Sequence, residues 1–273
     1  MKLLQKTLIL FLLMLLTACE DVITVDLDTA PPRLVIDASI DWVKNTTGNE
    51  QKIVLSTTTG YYDAAFPTVS GAVITITNTS NTVFEFVETP GTGEYICTNF
   101  APVIGETYNL KIVLNGETYT ASETLTAVPK IEDNIEQNNE GGMTGDEIEI
   151  TYYYQDNGSE VNYYLNRITQ PHTAFPELEV EDDEHSQGNL MQESYSHEDF
   201  KQGDAVEIKL YGISKSYYNY MYKLILASGN GGNPFPTTPS AVRGNIVNQT
   251  DSKNFAFGYF RLAELDVKNY TIK

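Results

Sequence analysis

Tyr108-Asn109-Leu110-Lys111-Ile112-Val113-Leu114-Asn115-Gly116-Glu117-Thr118-Tyr119-Thr120-Ala121 is the stretch that decides the fold class. Two runs of alternating apolar and polar residues flank Asn-Gly, the pair that most readily supplies the two left-handed residues of a tight hairpin turn. The same grammar extends upstream. Leu34–Ile40, Lys52–Ser56, Ala72–Thr77, Val83–Val87 and Glu94–Cys97 are short runs of period two. Asn78-Thr79-Ser80-Asn81 turns one run into the next, and Gly91, Gly93 and Gly105 punctuate the others. Short strands separated by turn residues from Arg33 to about Val128 predict a β-sandwich.

The succession Gly71-Ala72-Val73-Ile74-Thr75-Ile76, Gly93-Glu94-Tyr95, Gly105 to Leu110 and Asn115 to Ala121 resembles the immunoglobulin-like or prealbumin-like modules of secreted bacterial proteins. That resemblance implies a scaffold or adhesion platform, and it carries fold rather than function. Residues 129–147, with Pro129, Asn138-Asn139, Gly141-Gly142 and several acids, read as a linker or long loop that buries little. A second β-rich domain is expected over 148–273. It opens with Glu147–Tyr154, turns at Asp156-Asn157-Gly158, resumes at Val161–Ile168, and gains a strand at Val206–Tyr211.

One amphipathic helix is expected over about 214–228. Ser214 is suited to cap its N-terminus, and Tyr217, Tyr220, Met221, Leu224 and Ser228 share one face, with Gly229 as a stop. Pro234, Pro236 and Pro239 exclude a helix or central strand and predict an extended loop. Phe255–Phe260 reads as a buried strand in which Gly258 marks a bulge or a close backbone approach. The class is therefore all-β dominated: an N-terminal sandwich plus a second β-rich domain with one helix. Eighteen tyrosines against one tryptophan suit aromatic recognition of sugar or peptide, or serve simply as strand residues.

The first residues address place rather than fold. Lys2 and Lys6 precede an apolar run from Leu8 to Leu16, and Leu16-Thr17-Ala18-Cys19 reads as a lipobox. Residues 1–18 then form a lipoprotein signal peptide, Cys19 becomes the lipidated first residue, and 19–32 form an acidic tether. Two or three acyl chains exceed what stable anchoring needs. Residues 1–18 hold two of the 17 basic residues and none of the 37 acidic ones, leaving 15 against 37, a formal charge of −22. A surface this negative repels phosphate backbones, which excludes nucleic acid as a partner. With Cys19 lipidated, Cys97 has no disulfide partner, and stability must come from the core.

For catalysis the inventory is thin. His172, His185 and His197 lack metal-binding spacing, no GxSxG occurs, and Cys97 sits in a strand pattern as a small core residue. No catalytic residue is assigned, and a carbohydrate-active enzyme ranks below a binding protein, because among 37 acids some pair always lies close. The densest acidic stretch, Glu177 to Asp199, permits two readings. It is either a solvated acidic insertion or a site for Ca²⁺, with Asp182, Asp183 and Glu184 as the first candidate ligands.

Taken together, CEDVITVDLDTAPPRLVIDASI at 19–40, DDEHSQGN at 182–189, FKQGDAVEIKLYGISKSYYNYMYKL at 200–224, NPFPTTPSAVRGNIVN at 233–248 and FAFGYF at 255–260 resemble the Bacteroidota lipoproteins of domain of unknown function 4249 (DUF4249). The resemblance spans nearly the whole chain after Cys19 and implies fold and place, not chemistry. It implies the outer membrane, with Glu20 and Asp21 after Cys19 resembling the signal for its outer face, and a TonB-dependent β-barrel receptor as partner in uptake. The expectation is a surface-exposed binding or accessory lipoprotein. An adhesin or matrix-binding protein is the alternative.

Overall fold

Asn115 and Gly116 both adopt positive φ, 50° and 82°, and turn β6 (Thr107–Leu114) into β7 (Glu117–Thr124) through an unbroken antiparallel ladder from Leu114↔Glu117 to Thr107↔Thr124. The computed structural model describes residues 31–60, 63, 65–228 and 241–273. The expected signal at 1–18, Cys19 and the tether up to residue 30 lie outside them, as do Pro234, Pro236 and Pro239. Residues 32–273 form one compact unit.

The upstream strands are β1 (Leu34–Val43), β2 (Gln51–Thr57), β3 (Val73–Asn78), β4 (Val83–Glu88) and β5 (Glu94–Cys97). They continue with β6, β7 and the short β14 (Val247–Asn248) in the spatial order β1-β2-β5-β4-β3-β6-β7-β14. β4 joins β5 through two residue pairs and β3 through four, so it is the seam between two arms. Inward residues of both arms, Ile36, Ile40, Ile53 and Leu55 from one and Ile74, Ile76, Leu110 and Ile112 from the other, meet in one core. Alternation along each strand thus buries one face of each arm, which is the expected sandwich.

The second half adds β8 (Glu136–Gly141), β9 (Glu147–Gln155), β10 (Tyr163–Thr169), β11 (Glu177–Asp182), β12 (Leu190–His197), β13 (Ala205–Ile213), α1 (Lys215–Ala227) and β15 (Phe257–Thr271). β11-β10-β13-β15 extend the long sheet beyond β1, while β12-β9-β8 form a separate small sheet. The small sheet packs on one face of the extension around Ile150, Tyr152, Tyr154, Tyr164 and Ile208. Helix α1 covers the opposite face with Tyr217 and Met221, against Leu165, Tyr211 and Leu265. Three layers result. The expected helix is present, with Ser214 as its N-cap accepting from the Tyr217 N–H, although its last cap is Ser228.

The expected linker and domain boundary at 129–147 are corrected. Ile131 is fully buried, its N–H donates to Asp266 Oδ2 at 2.8 Å, and the Val128 N–H donates to Glu264 Oε2 at 3.0 Å. β8 itself lies in this stretch. Its exposed, polar side chains at a sheet edge carried no apolar signal. Gly212 lets the connector approach: a Cβ there would stand 1.9 Å from the Ala127 carbonyl oxygen. The two halves share a sheet because β1 and β15 pair in parallel, from Val35↔Phe257 to Val43↔Leu265.

β15 also outruns the expected strand at 255–260. It is buried on both faces, with Phe260 and Leu262 in the sandwich core and Ala263, Leu265 and Val267 against the α1 core. Arg261 interrupts the apolar run but is paired with Asp41 of β1 at 2.5 Å and stacked between Tyr211 and Tyr217. Gly258, at φ 97°, is the close approach the sequence suggests, since a Cβ there would meet the Ile36 carbonyl oxygen at 1.9 Å.

Candidate functional site

Strand period places the acids of β11. Glu177, Glu179 and Glu181 alternate with Leu178 and Val180, and Val180 packs into the α1 core. The glutamates therefore leave the other face, toward the small sheet. β12 is the near edge of that sheet, and its Met191 and Tyr195 pack on the core beneath it with Glu193 between them in phase. The Tyr195 hydroxyl closes the two edges by donating to Glu177 Oε1 at 2.7 Å. Carboxylate oxygens of Glu179, Glu181 and Glu193 then lie within 4.8 Å of one another.

No basic group among the described residues answers them. Among the described residues no ion pair includes Glu179, Glu181 or Glu193. Burial, the hydrogen bond and charge of Glu181, and the charge of Glu179 push the Glu193 carboxyl up to about 9. Burial and the neighbouring Glu181 and Glu177 also raise Glu179. The Tyr154 hydroxyl leans on Glu193 Oε1 at 3.4 Å, and burial together with these carboxylates holds Tyr152 and Tyr154 far above the usual phenol range.

The cluster borders a cleft of about 850 Å³ running beside β11. Tyr152, Phe175, Tyr195 and Tyr222 give it aromatic walls, and Glu177, Glu179 and Glu193 give it carboxyl groups. Two wall atoms have no partner among the described residues: Asn166 Nδ2 and Thr173 Oγ1. Asn166 is only 3% exposed and sits directly across the β10–β11 ladder from Glu179, while its Oδ1 accepts from the Tyr152 hydroxyl at 2.9 Å. A wall of apolar rings with a few convergent polar groups is the usual make-up of a small-molecule site.

The expected ligands Asp182, Asp183 and Glu184 are not brought together. Asp182 Oδ1 accepts from the Glu184 N–H at 3.1 Å, and the Glu184 side chain is exposed. Asp183 is fully buried, accepts from the Asn162 N–H at 2.8 Å, and lies against Asp156, where burial raises its carboxyl. These residues hold the turn after β11. Consecutive acids at a strand end diverge, whereas acids two apart converge, so the phase of Glu-Leu-Glu-Val-Glu was the signal that points to the observed cluster. Elsewhere, His172 pairs with Asp204 at 2.6 Å and stacks on His197 at 5.8 Å, His185 is exposed, and Cys97 is buried with its thiol raised by desolvation.

The family described as domain of unknown function DUF4249 matches residues 20–268. The chain belongs to the DUF4249 family. None of the curated proteins matches it. Among solved structures, the DUF4249 chain is similar to a segment of two fibronectin type-III domains from chicken tenascin, with 14% identity, TM-score 0.22, and coverage of 60% of this chain and 85% of that one. It is similar also to a DUF4785 family protein from Legionella pneumophila, with 8% identity, TM-score 0.25, and coverage of 66% and 51%. A third is the chicken interferon gamma receptor alpha chain, with 9% identity, TM-score 0.21, and coverage of 66% and 88%. The sandwich-like fold of this DUF4249 chain stands on its own strand order and cores. No helix among its described residues is long and apolar enough to cross a membrane.

Proposed function

We propose that this DUF4249 chain is a lipid-anchored outer-membrane lipoprotein, facing the cell exterior, that holds a polar ligand in the β11 cleft as a binding or accessory subunit beside a TonB-dependent β-barrel receptor. The observation that carries the binding role is the cleft wall: among the described residues, buried Asn166 Nδ2 and Thr173 Oγ1 have no partner, and the acids beside them have no basic group paired with them. Buried polar groups are rarely left unpaired, so a ligand with both donors and acceptors completes this wall. The lipobox at Leu16–Cys19 and the acids after it support the anchor and its outward face. An anchor confines ligand carrier and receptor to one plane and raises their effective concentration without tight solution affinity.

Recovery of a β-barrel receptor in near-equal amount with a tagged copy, after mild detergent extraction of native membranes, is the expected result. Cys19→Ala should leave the chain unlipidated and release it from the membrane fraction. A Cys19→Ala chain that stays membrane-bound would overturn the anchor. The adhesin reading has one observation in its favour: Val73 and Val87, outward-facing on the neighbouring strands β3 and β4, are 65% and 69% exposed. Recovery without a receptor, with binding to glycan or matrix surfaces lost on Val87→Ser, would favour it. Turnover of a glycoside abolished by Glu193→Gln would replace both readings with an enzyme.

A further inference from the structure

We propose that Glu179, Glu181 and Glu193, with the Asn166 amide behind them, form a site for a hydrated divalent cation of the Ca²⁺ class at the end of the β11 cleft. Three carboxylates from two different sheets converge within 4.8 Å, and no lysine, arginine or histidine among the described residues pairs with them. All-oxygen donor sets select hard cations, and three glutamates supply up to six oxygens, within the range Ca²⁺ takes.

A second observation points to a ligand independently of the charges. Asn166 is 97% removed from solvent, faces the same way as its register partner Glu179, and has an amide nitrogen without a partner among the described residues. Turning the amide about its terminal bond presents its oxygen to the cation or to a water the cation holds, with Nδ2 then donating to the Tyr152 hydroxyl. That arrangement satisfies the orphan.

Inward charges on edge strands also serve to block edge-to-edge pairing, and β11 and β12 are both edge strands of their sheets. Edge protection needs only the charges themselves, whereas here Glu193 sits partly buried with its carboxyl oxygens within 4.8 Å of those of Glu179 and Glu181, a crowding that repels as soon as all three ionise. A cation relieves that repulsion and ties the two edges together, which Tyr195 and Glu177 otherwise do with one hydrogen bond.

The test uses the full chain in mild detergent, stripped with EDTA and titrated with CaCl₂, and reads melting temperature and Tb³⁺ emission excited through tyrosine. Tyr154 lies close enough to sensitise it, its hydroxyl 3.4 Å from Glu193. A saturable rise in melting temperature with half-saturation near ~10⁻⁴–10⁻³ M is expected, with Tb³⁺ emission competed away by Ca²⁺. Glu193→Gln and Glu179→Gln should each weaken Ca²⁺ by about tenfold or more. Glu193→Gln should melt in EDTA no lower than the parent, which separates loss of the site from loss of the fold. Absence of a saturable response, or affinity unchanged in both variants, would sink the proposal. The metal titration reads this site alone, while co-purification reads the receptor, so either can fail without the other.

Discussion

Glu193 concentrates the energetics of the site in one carboxyl. Its folded pKa, about 9, stands above the ordinary 4.5, because burial and the nearby Glu181 and Glu179 disfavour its charge. The folded chain therefore keeps a proton that the unfolded chain releases between those values. Stability from this group is fully present below pH 4.5 and is lost as pH rises through about 9. In EDTA, the parent should melt progressively lower from pH 5 to pH 9.5, and Glu193→Gln should flatten that slope; equal slopes in a thermal scan would show that the carboxyl is solvated. At this scale the sequence was partly readable. Gly258 announced a close approach, and the glutamates stood inside an acidic stretch, but burial of Glu193 depends on its sheet facing β11, whose Glu179 and Glu181 lie 14 and 12 positions away in sequence. No local pattern encodes it.

Elements with their own periodicity were legible, and those that borrow stability from neighbours were not. Helix α1 announces itself through Ser214 and the spacing of Tyr217 and Met221, the two residues it buries. Ser214 Oγ accepts from the Tyr217 N–H at 3.2 Å and donates to Glu123 Oε2 at 3.0 Å, fastening the helix to β7. Ser214→Ala should cost about 1 kcal/mol, measured as a lower urea midpoint, and Ser214→Thr should restore most of it. By contrast β8, β11 and β12 are polar or acidic along most of their length, with acids even at inward positions such as Glu181 and Glu193, so they resemble a solvated insertion. β15 was readable only at its start, since Arg261 and Glu264 look like surface residues until Asp41 and Lys44 are placed beside them.

Across the whole molecule, the decisive contact joins the two ends of the described chain. β1 and β15 pair in parallel although Val35 and Phe257 lie 222 positions apart, and β15 gives Phe260 and Leu262 to the sandwich core while its odd-numbered residues serve the α1 core. A boundary near 129–147 would cut through that arrangement. A chain ending at Val128 loses the strand beside β1 and leaves Ile36, Ala38 and Ile40 without part of their cover. It also leaves Asp41 without Arg261 and Lys44 without Glu264. Missing cover of this kind exposes both a strand edge and apolar surface, which favours aggregation over folding. The truncated chain should show no cooperative transition in urea followed by tyrosine fluorescence, whereas residues 31–273 should unfold in one. A cooperative transition from the truncated chain would mean that the sandwich is self-sufficient and that β15 is an addition to it. The same continuity has a functional consequence. The β11 cleft and the sandwich are built on one sheet through β1 and β15, so a load on the sandwich reaches the cleft along a continuous ladder of backbone hydrogen bonds.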